Sequence, residues 1–404
     1  MAGSAFAAEL ARRRAAAQMS LAQLAGTAHV NRSYLYRVET GERWPAETVA
    51  RLLDETLCAH GVLLDAWRAG EDARRAAAED ARCVATSVRE SRALDVLLAD
   101  VPLGEAVTAA EEIAAALAVD YLRRPPMPML AVALDARTAA VHELNRAPST
   151  RQRRDLIRVA GYLSGVLAYA ALDLNHADAA VGHAATAWRC AQSAGDPELA
   201  AWARGTQSLI ARFENDYPTA LALARAGLDH APVTGTSRPR LLAGVAQSAA
   251  NMGDRGAAHR GLDAAGDATD RATADAFGGL FRFSRAKLAY YAGSALMWLP
   301  EPADARRAAH SAVTAVSLWE NGDPTDRSLD DEALAHVYAA GSSIRLGELD
   351  AADALLRPVL TLPPERRISW LQRRVGDIGA LLTAPRFAGS ATAAKLLADV
   401  RAFG

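Results

Sequence analysis

Residues 20–45 read Ser-Leu-Ala-Gln-Leu-Ala-Gly-Thr-Ala-His-Val-Asn-Arg-Ser-Tyr-Leu-Tyr-Arg-Val-Glu-Thr-Gly-Glu-Arg-Trp-Pro. Ser20 followed by Gln23 makes a capping box that opens one short helix. Asn31 caps a second helix, and Gly41 ends it just past the C-cap, where positive φ is usual. Only Thr27 to Val30 remains for the turn, so the two helices must cross steeply, which predicts a helix-turn-helix. On the second helix Leu35 and Val38 share the inward face. At about 100° per residue, Ser33, Tyr36 and Arg37 then point outward, with Arg32 at their edge. Arginine can bond guanine O6 and N7 together and serine can meet several base edges, so this outward set suits base reading. From Met1 to Pro45 six arginines stand against three acids, a local balance of +3 in a chain whose formal net charge is −2.

The rest of the chain narrows the function class. Its 404 residues, 51% of them apolar, suffice for two or three packed units. Cys58, Cys83 and Cys190 are odd in number and lack C-x-x-C spacing, which argues against a disulfide framework or a thiolate zinc site and favours a reducing cytoplasm. No secretory leader and no run of about 18 uncharged apolar residues is seen, so neither secretion nor membrane contact is expected. Lys287 and Lys395, the two lysines, each follow an alanine, which excludes a G-K-[ST] phosphate loop. The small net charge excludes non-specific nucleic-acid binding as a bulk property and leaves the N-terminal patch to carry it.

Ala, Leu, Arg and Glu dominate, strand-like alternation is nearly absent, and Gly-Asp, Asp-Pro and Pro-Pro punctuate stretches of helical length, which predicts an all-α protein. Three regions separate: 1–70, the helix-turn-helix; 71–150, a helical connector interrupted by Arg124-Pro125-Pro126-Met127-Pro128; and 151–404, repeated helix pairs. The pairs show in small residues at i, i+4 and i+7 of each second helix, a spacing that lets helices cross closely. The sets are Ala180/Ala184/Ala187, Ala220/Ala224/Gly227, Ala257/Gly261/Ala264, Ala305/Ala309/Ala312 and, more loosely, Ala352/Leu356/Val359, at intervals of 40, 37, 48 and 47 residues. Five such hairpins cannot bury their apolar faces singly, so a stacked superhelix is expected. With Leu-Gly-Glu-Leu-Asp-Ala-Ala at 346–352 as its inter-helix turn, this region resembles the tetratricopeptide-repeat family, in degenerate form.

From Leu24 to Pro45 the chain resembles the xenobiotic-response-element type of helix-turn-helix regulator, whose pattern is Leu-Ala-x-x-Ala-Gly-Val-Ser-x-x-x-Leu-x-x-Ile-Glu-x-Gly-x-x-x-Pro, and the likeness extends to Trp67. It implies that Arg32, Ser33 and Arg37 face bases in the major groove while Ser20, Thr40 and Arg43 hold phosphates. His29 replaces the usual turn glycine and should tolerate positive φ at modest strain, and Asn31 replaces the usual Ser or Thr cap.

No catalytic constellation emerges, so an enzyme is not expected. Gly161-Tyr-Leu-Ser-Gly165 has the wrong order for a nucleophile elbow and reads as helix packing. His176 and His183 lack further ligands at customary spacing and read as surface histidines, so no metal and no cofactor are expected. In the repeats Tyr162, Trp202 and Lys287 each stand 18 residues before an alanine anchor, an equal offset that suggests one lining layer. Tyr162, Trp202, Gln247, Asn251, Arg282 and Arg285 are the candidate effector contacts: aromatic walls, paired amides for a peptide backbone, and two arginines for a carboxylate. The combination resembles helix-turn-helix plus tetratricopeptide regulators that respond to short signalling peptides. The expected partners are a palindromic double-stranded DNA operator, a peptide or small-molecule effector, and a second copy in a homodimer. A helical-repeat scaffold binding a protein is the alternative.

Overall fold

The computed structural model describes residues 2–74, 80, 84, 106–147, 149–273 and 277–403. These residues are helical or irregular, with no strand among them, and the chain divides into two compact units, Met1–Cys83 and Val84–Gly404. Cys83 and most of the first third of the expected connector lie outside the described residues.

The first unit contains α1 (Ala2–Ala16), α2 (Leu21–Thr27), α3 (Arg32–Glu39), α4 (Glu47–Thr56) and α5, which opens at residue 62. Each helix sends at least one large side chain inward: Phe6 and Leu10, Leu24, Leu35 and Val38, Leu53, and Leu63 are all buried. At roughly 1.5–3 kcal/mol per buried side chain, this small core is the main source of the unit's stability. One polar group is buried with it. The Asp54 carboxylate, at the end of α4, accepts from the Gly61 and Leu63 amides at 2.7 and 2.8 Å and so caps α5. The intervening backbone turns through positive φ at Cys58, His60 and Gly61, a path that only this close return requires.

The second unit begins with α6 (Ala106–Asp120) and α7 (Pro126–Leu144). Helix hairpins follow: α8 (Thr150–Asp173) with α9 (Ala177–Ala194), α10 (Pro197–Phe213) with α11 (Tyr217–Leu228), and α12 (Ser237–Asn251) with α13 (Arg255–Arg271). Then come α14 (Arg285–Leu296) with α15 (Pro302–Glu320), α16 (Leu329–Leu346) with α17 (Leu349–Leu360), and α18 (Ser369–Leu382) with α19 (Ala391–Phe403). The five expected hairpins are present, and a sixth closes the array. Its second helix buries Ala393, Leu396, Val400 and Phe403, mostly larger residues than the alanines and glycine that marked the first four pairs.

Close crossings explain the small residues. A Cβ on Gly227 would lie 2.7 Å from the Leu241 side chain, and one on Gly261 would lie 2.9 Å from the Ala246 Cβ. The helical phase differs from the sequence reading in two places. On α13 the buried set is Ala258, Gly261, Leu262, Ala265 and Ala268 rather than Ala257 and Ala264, and on α15 Ala308 is buried where Ala309 is only half-buried. In both helices alanines occupy adjacent positions, which leaves the phase undetermined by residue type.

First helices pack on first helices along the array, and α18 returns to touch α8. There the Ser369 hydroxyl donates to the Leu172 carbonyl at 2.6 Å, Arg373 donates to the Phe213 carbonyl, and the Trp370 and Phe213 rings lie 5.1 Å apart. The row of first helices therefore curls back on itself and walls an inner cleft. By length and composition α8 matches a membrane-crossing helix, but 83% of its apolar window is buried inside the protein, which makes it a core helix here.

Candidate nucleic-acid interface and inner cleft

The 20–45 segment folds as its caps dictate. The Ser20 hydroxyl accepts from the Gln23 amide and the Gln23 side chain accepts from the Ser20 amide, completing the capping box. His29 sits at φ 51 in the turn, as its tolerance of the left-handed region allows, and Gly41 sits at φ 79 beyond the Thr40 C-cap. The Asn31 side chain accepts from the Ser33 and Tyr34 amides. With Leu35 and Val38 buried, Arg32, Ser33, Tyr36 and Arg37 are exposed, as are Ser20, Thr40 and Arg43. All seven candidate DNA contacts thus belong to the exposed surface of the first unit, and Tyr36 is an aromatic left 54% accessible.

The arginines divide into two groups. Arg12 and Arg13 pair with Glu9, and Arg14 forks onto Glu39 through Nε and Nη2 at 2.7 and 2.6 Å while Nη1 reaches the Met19 carbonyl. Hydrogen bonding to Glu39 raises the Arg14 pKa. This clasp ties the end of α1 to the end of α3, so Arg14 positions the second helix of the motif. Arg32, Arg37 and Arg43 remain as exposed positive charge, Arg43 lying 5.0 Å over the Tyr34 ring. Sequence reasoning missed how the loop bearing Arg43 is fastened. The Trp44 ring stacks on Trp67 at 6.3 Å and meets Phe6 edge-on, while the two indole nitrogens donate to Glu71 and to the Pro45 carbonyl.

In the second unit the candidate effector contacts separate. Tyr162 stacks on Phe277 at 3.9 Å, and Trp202 lies 4.6 Å from Phe281, both buried. A short turn, Gly279–Phe281, thus fills that part of the inner layer from within the chain. Gln247 takes a bond from Arg212 and donates to Ser294, and Asn251 donates to the Gln247 carbonyl at 2.6 Å. Arg282 pairs with Asp326 and Arg285 with Asp270, on separate carboxylates. Gln247 and Asn251 border a small recess, and Arg282 borders the larger cleft beside it. His183 is buried, contrary to the expected surface position, and burial pushes its pKa down to about 3, so it is neutral.

The larger cleft contains about 760 Å³ of non-protein space, open solvent at its mouth included. Tyr121, Tyr290 and Trp370 give it aromatic walls, and Arg240, Lys287, Asp173, Asp330 and Asp331 give it charge. Arg240 is held within the protein, bonding the Trp202 carbonyl, Tyr169 and Thr206 at 2.7, 2.8 and 3.1 Å. Asp173 accepts from the Tyr121 hydroxyl at 2.5 Å, and Asp330 pairs with Arg366 at 2.9 Å. Burial, then the charge of Asp330, holds Asp173 well above the usual carboxylate range; burial raises Asp330 to about 7 despite Arg366. None of these acids announced itself in the sequence, because two distant helix ends supply them, Asp173 from the end of α8 and Asp330 and Asp331 from the start of α16. Among the described residues no group of three or more His, Cys, Asp or Glu forms a metal cluster.

No curated protein matches the chain. Residues 5–67, which span α1 to the Trp67 turn of α5, match the family described as a helix-turn-helix domain, so the N-terminal unit carries a domain similar to that DNA-binding family, followed by an array of helix hairpins.

Proposed function

We propose that this protein is a DNA-binding transcriptional regulator in which the hairpin array, a degenerate tetratricopeptide-like superhelix, senses an effector and mediates dimerisation. The observation that carries the DNA-binding part is the exposed set Arg32, Ser33, Tyr36 and Arg37 on a helix capped at both ends within the matched domain. In this reading Arg32, Ser33 and Arg37 meet base edges, and Ser20, Thr40 and Arg43 meet phosphates. One such helix reads too few base pairs for useful specificity, so a homodimer on a two-fold operator is part of the proposal. The inner cleft supports effector sensing, since it is a concave space with aromatic walls and charged groups of both signs. An effector changes operator affinity only if it binds two arrangements of the protein unequally.

Selection of duplexes from a randomised pool, followed by a salt titration and light scattering of the complex, tests this. A palindromic winner bound with a steep salt slope by two chains supports the reading. Salt-insensitive or absent DNA binding sinks it and leaves the scaffold alternative.

A further inference from the structure

The inner cleft holds charges of both signs, and their partners differ. Each acid already has a partner: Tyr121 for Asp173, Arg366 for Asp330, and for Asp331 the charge of Lys287 and then the Ser328 side chain. Lys287 has no short ion pair: Asp331 is its main opposing charge but lies beyond contact distance, and burial lowers the lysine's pKa. It is 7% exposed, and among the described residues its Nζ makes one hydrogen bond, a long one of 3.4 Å to the Leu280 carbonyl, with no carboxylate within 4 Å. An ammonium has three donors, so at least two are unused on a group almost withdrawn from water. A second buried cation is similarly underused. Arg212, in the adjoining recess that shares Trp370 with the cleft, gives one hydrogen bond to Gln247, and its Nε has no partner.

We propose that the inner cleft binds a small organic anion, a carboxylate or phosphate ester on an aromatic or apolar body, with Lys287 as the counter-ion and Tyr121, Tyr290 and Trp370 as the walls. This rests on the reading of the array as a sensor and names the chemistry of what it senses. A buried cation without a contact ion pair costs stability, and such a cost is commonly kept where a ligand removes it. Burial favours the protonated forms of Asp173, Asp330 and Asp331, which lessens the repulsion an entering anion meets. The return of α18 onto α8 limits the occupant to a small molecule, because the cleft is closed on that side by Ser369 and Trp370.

The test uses calorimetric titration of the full chain with benzoate and phenyl phosphate, against benzamide and benzylamine, which keep the ring and change the charge. The anions should bind and the amine should not. Lys287→Met should weaken anion binding roughly tenfold or more, Lys287→Arg should restore part of it, and Lys287→Met should not lower thermal stability, since a buried charge without a contact ion pair is replaced by an apolar chain of similar length. Benzylamine binding as tightly as benzoate, affinity unchanged in Lys287→Met, or no heat from either anion would overturn the proposal. Affinity for the selected duplex is measured alongside. Anion binding that leaves it unchanged supports the anion site and sinks the sensor reading. A duplex affinity that responds to an extract from the source cells, with no anion bound, sinks the anion site alone.

Discussion

Asp54 is the polar keystone of the N-terminal unit, and Asp54→Ala should come close to unfolding it. Its carboxylate takes the Gly61 and Leu63 amides at 2.7 and 2.8 Å, with Leu64 more distant at 3.4 Å, and it is 8% exposed. Two short charge-assisted bonds at roughly 1.5–3 kcal/mol each, discounted for overlap, put the loss at about 3–5 kcal/mol. A unit of this size holds about 4–12 kcal/mol in all, so the loss is a large fraction of the total. The midpoint should fall by roughly 4–8 °C for each kcal/mol. The damage reaches the interface as well, because α5 carries Trp67, on which Trp44 and the Arg43 loop rest. Hydrogen exchange on the full chain is the assay. The Gly61 and Leu63 amides and the rest of the first unit should lose protection while the hairpin array keeps its own. A loss under about 1 kcal/mol, or one shared equally by the array, would refute the capping role and the independence of the two units.

Arg14→Ala should destabilise the first unit by about 1–3 kcal/mol, by removing a two-bond fork and leaving Glu39 unpaired, yet leave the salt slope of DNA binding unchanged. Thermal denaturation and a salt titration read the two effects separately. Gly279→Ala should cost the array more than about 2 kcal/mol, because φ is +59 there and the new Cβ would lie 2.3 Å from the Ala118 carbonyl oxygen; denaturant titration measures it. Asp330 is raised from 3.8 to about 7 in the folded chain, so the stability it contributes is complete below about pH 4 and is lost as the pH rises through 7. Asp330→Asn cannot ionise: its stability should match the parent near pH 4 and exceed it near pH 8, with a gap opening by at most about 1.4 kcal/mol per pH unit in between, followed by denaturant midpoints at each pH.

The legible parts of the sequence were those fixed by local chemistry. Ser20, Gln23, Asn31 and Gly41 act within three residues of themselves, so the motif's caps, turn and exposed face follow from reading 26 residues in order. Contacts between distant residues were hidden. Arg14 reads as basic surface until Glu39, 25 residues on, is seen to hold it. Tyr162 and Trp202 share an offset from their anchors, as the repeat pattern suggested, but nothing in that pattern shows Phe277 and Phe281 folding over them. The cleft depends on curvature summed along the hairpins, which brings Asp173 and Asp330 together from the first and the fifth of them. Alanine-rich helices conceal phase, and for the same reason they conceal a buried His183.

The central claim is that α3 reads DNA with Arg37 while Arg43 only anchors it. The most direct measurement is binding of parent, Arg37→Ala and Arg43→Ala chains to the selected duplex and to single-base variants of it, across salt. Arg37→Ala should lose about 1–3 kcal/mol on the selected sequence and stop discriminating at one base position, whereas Arg43→Ala should weaken all sequences alike and reduce the salt slope by about 1. Unchanged affinity and discrimination in both variants would contradict the assignment of this helix to base reading.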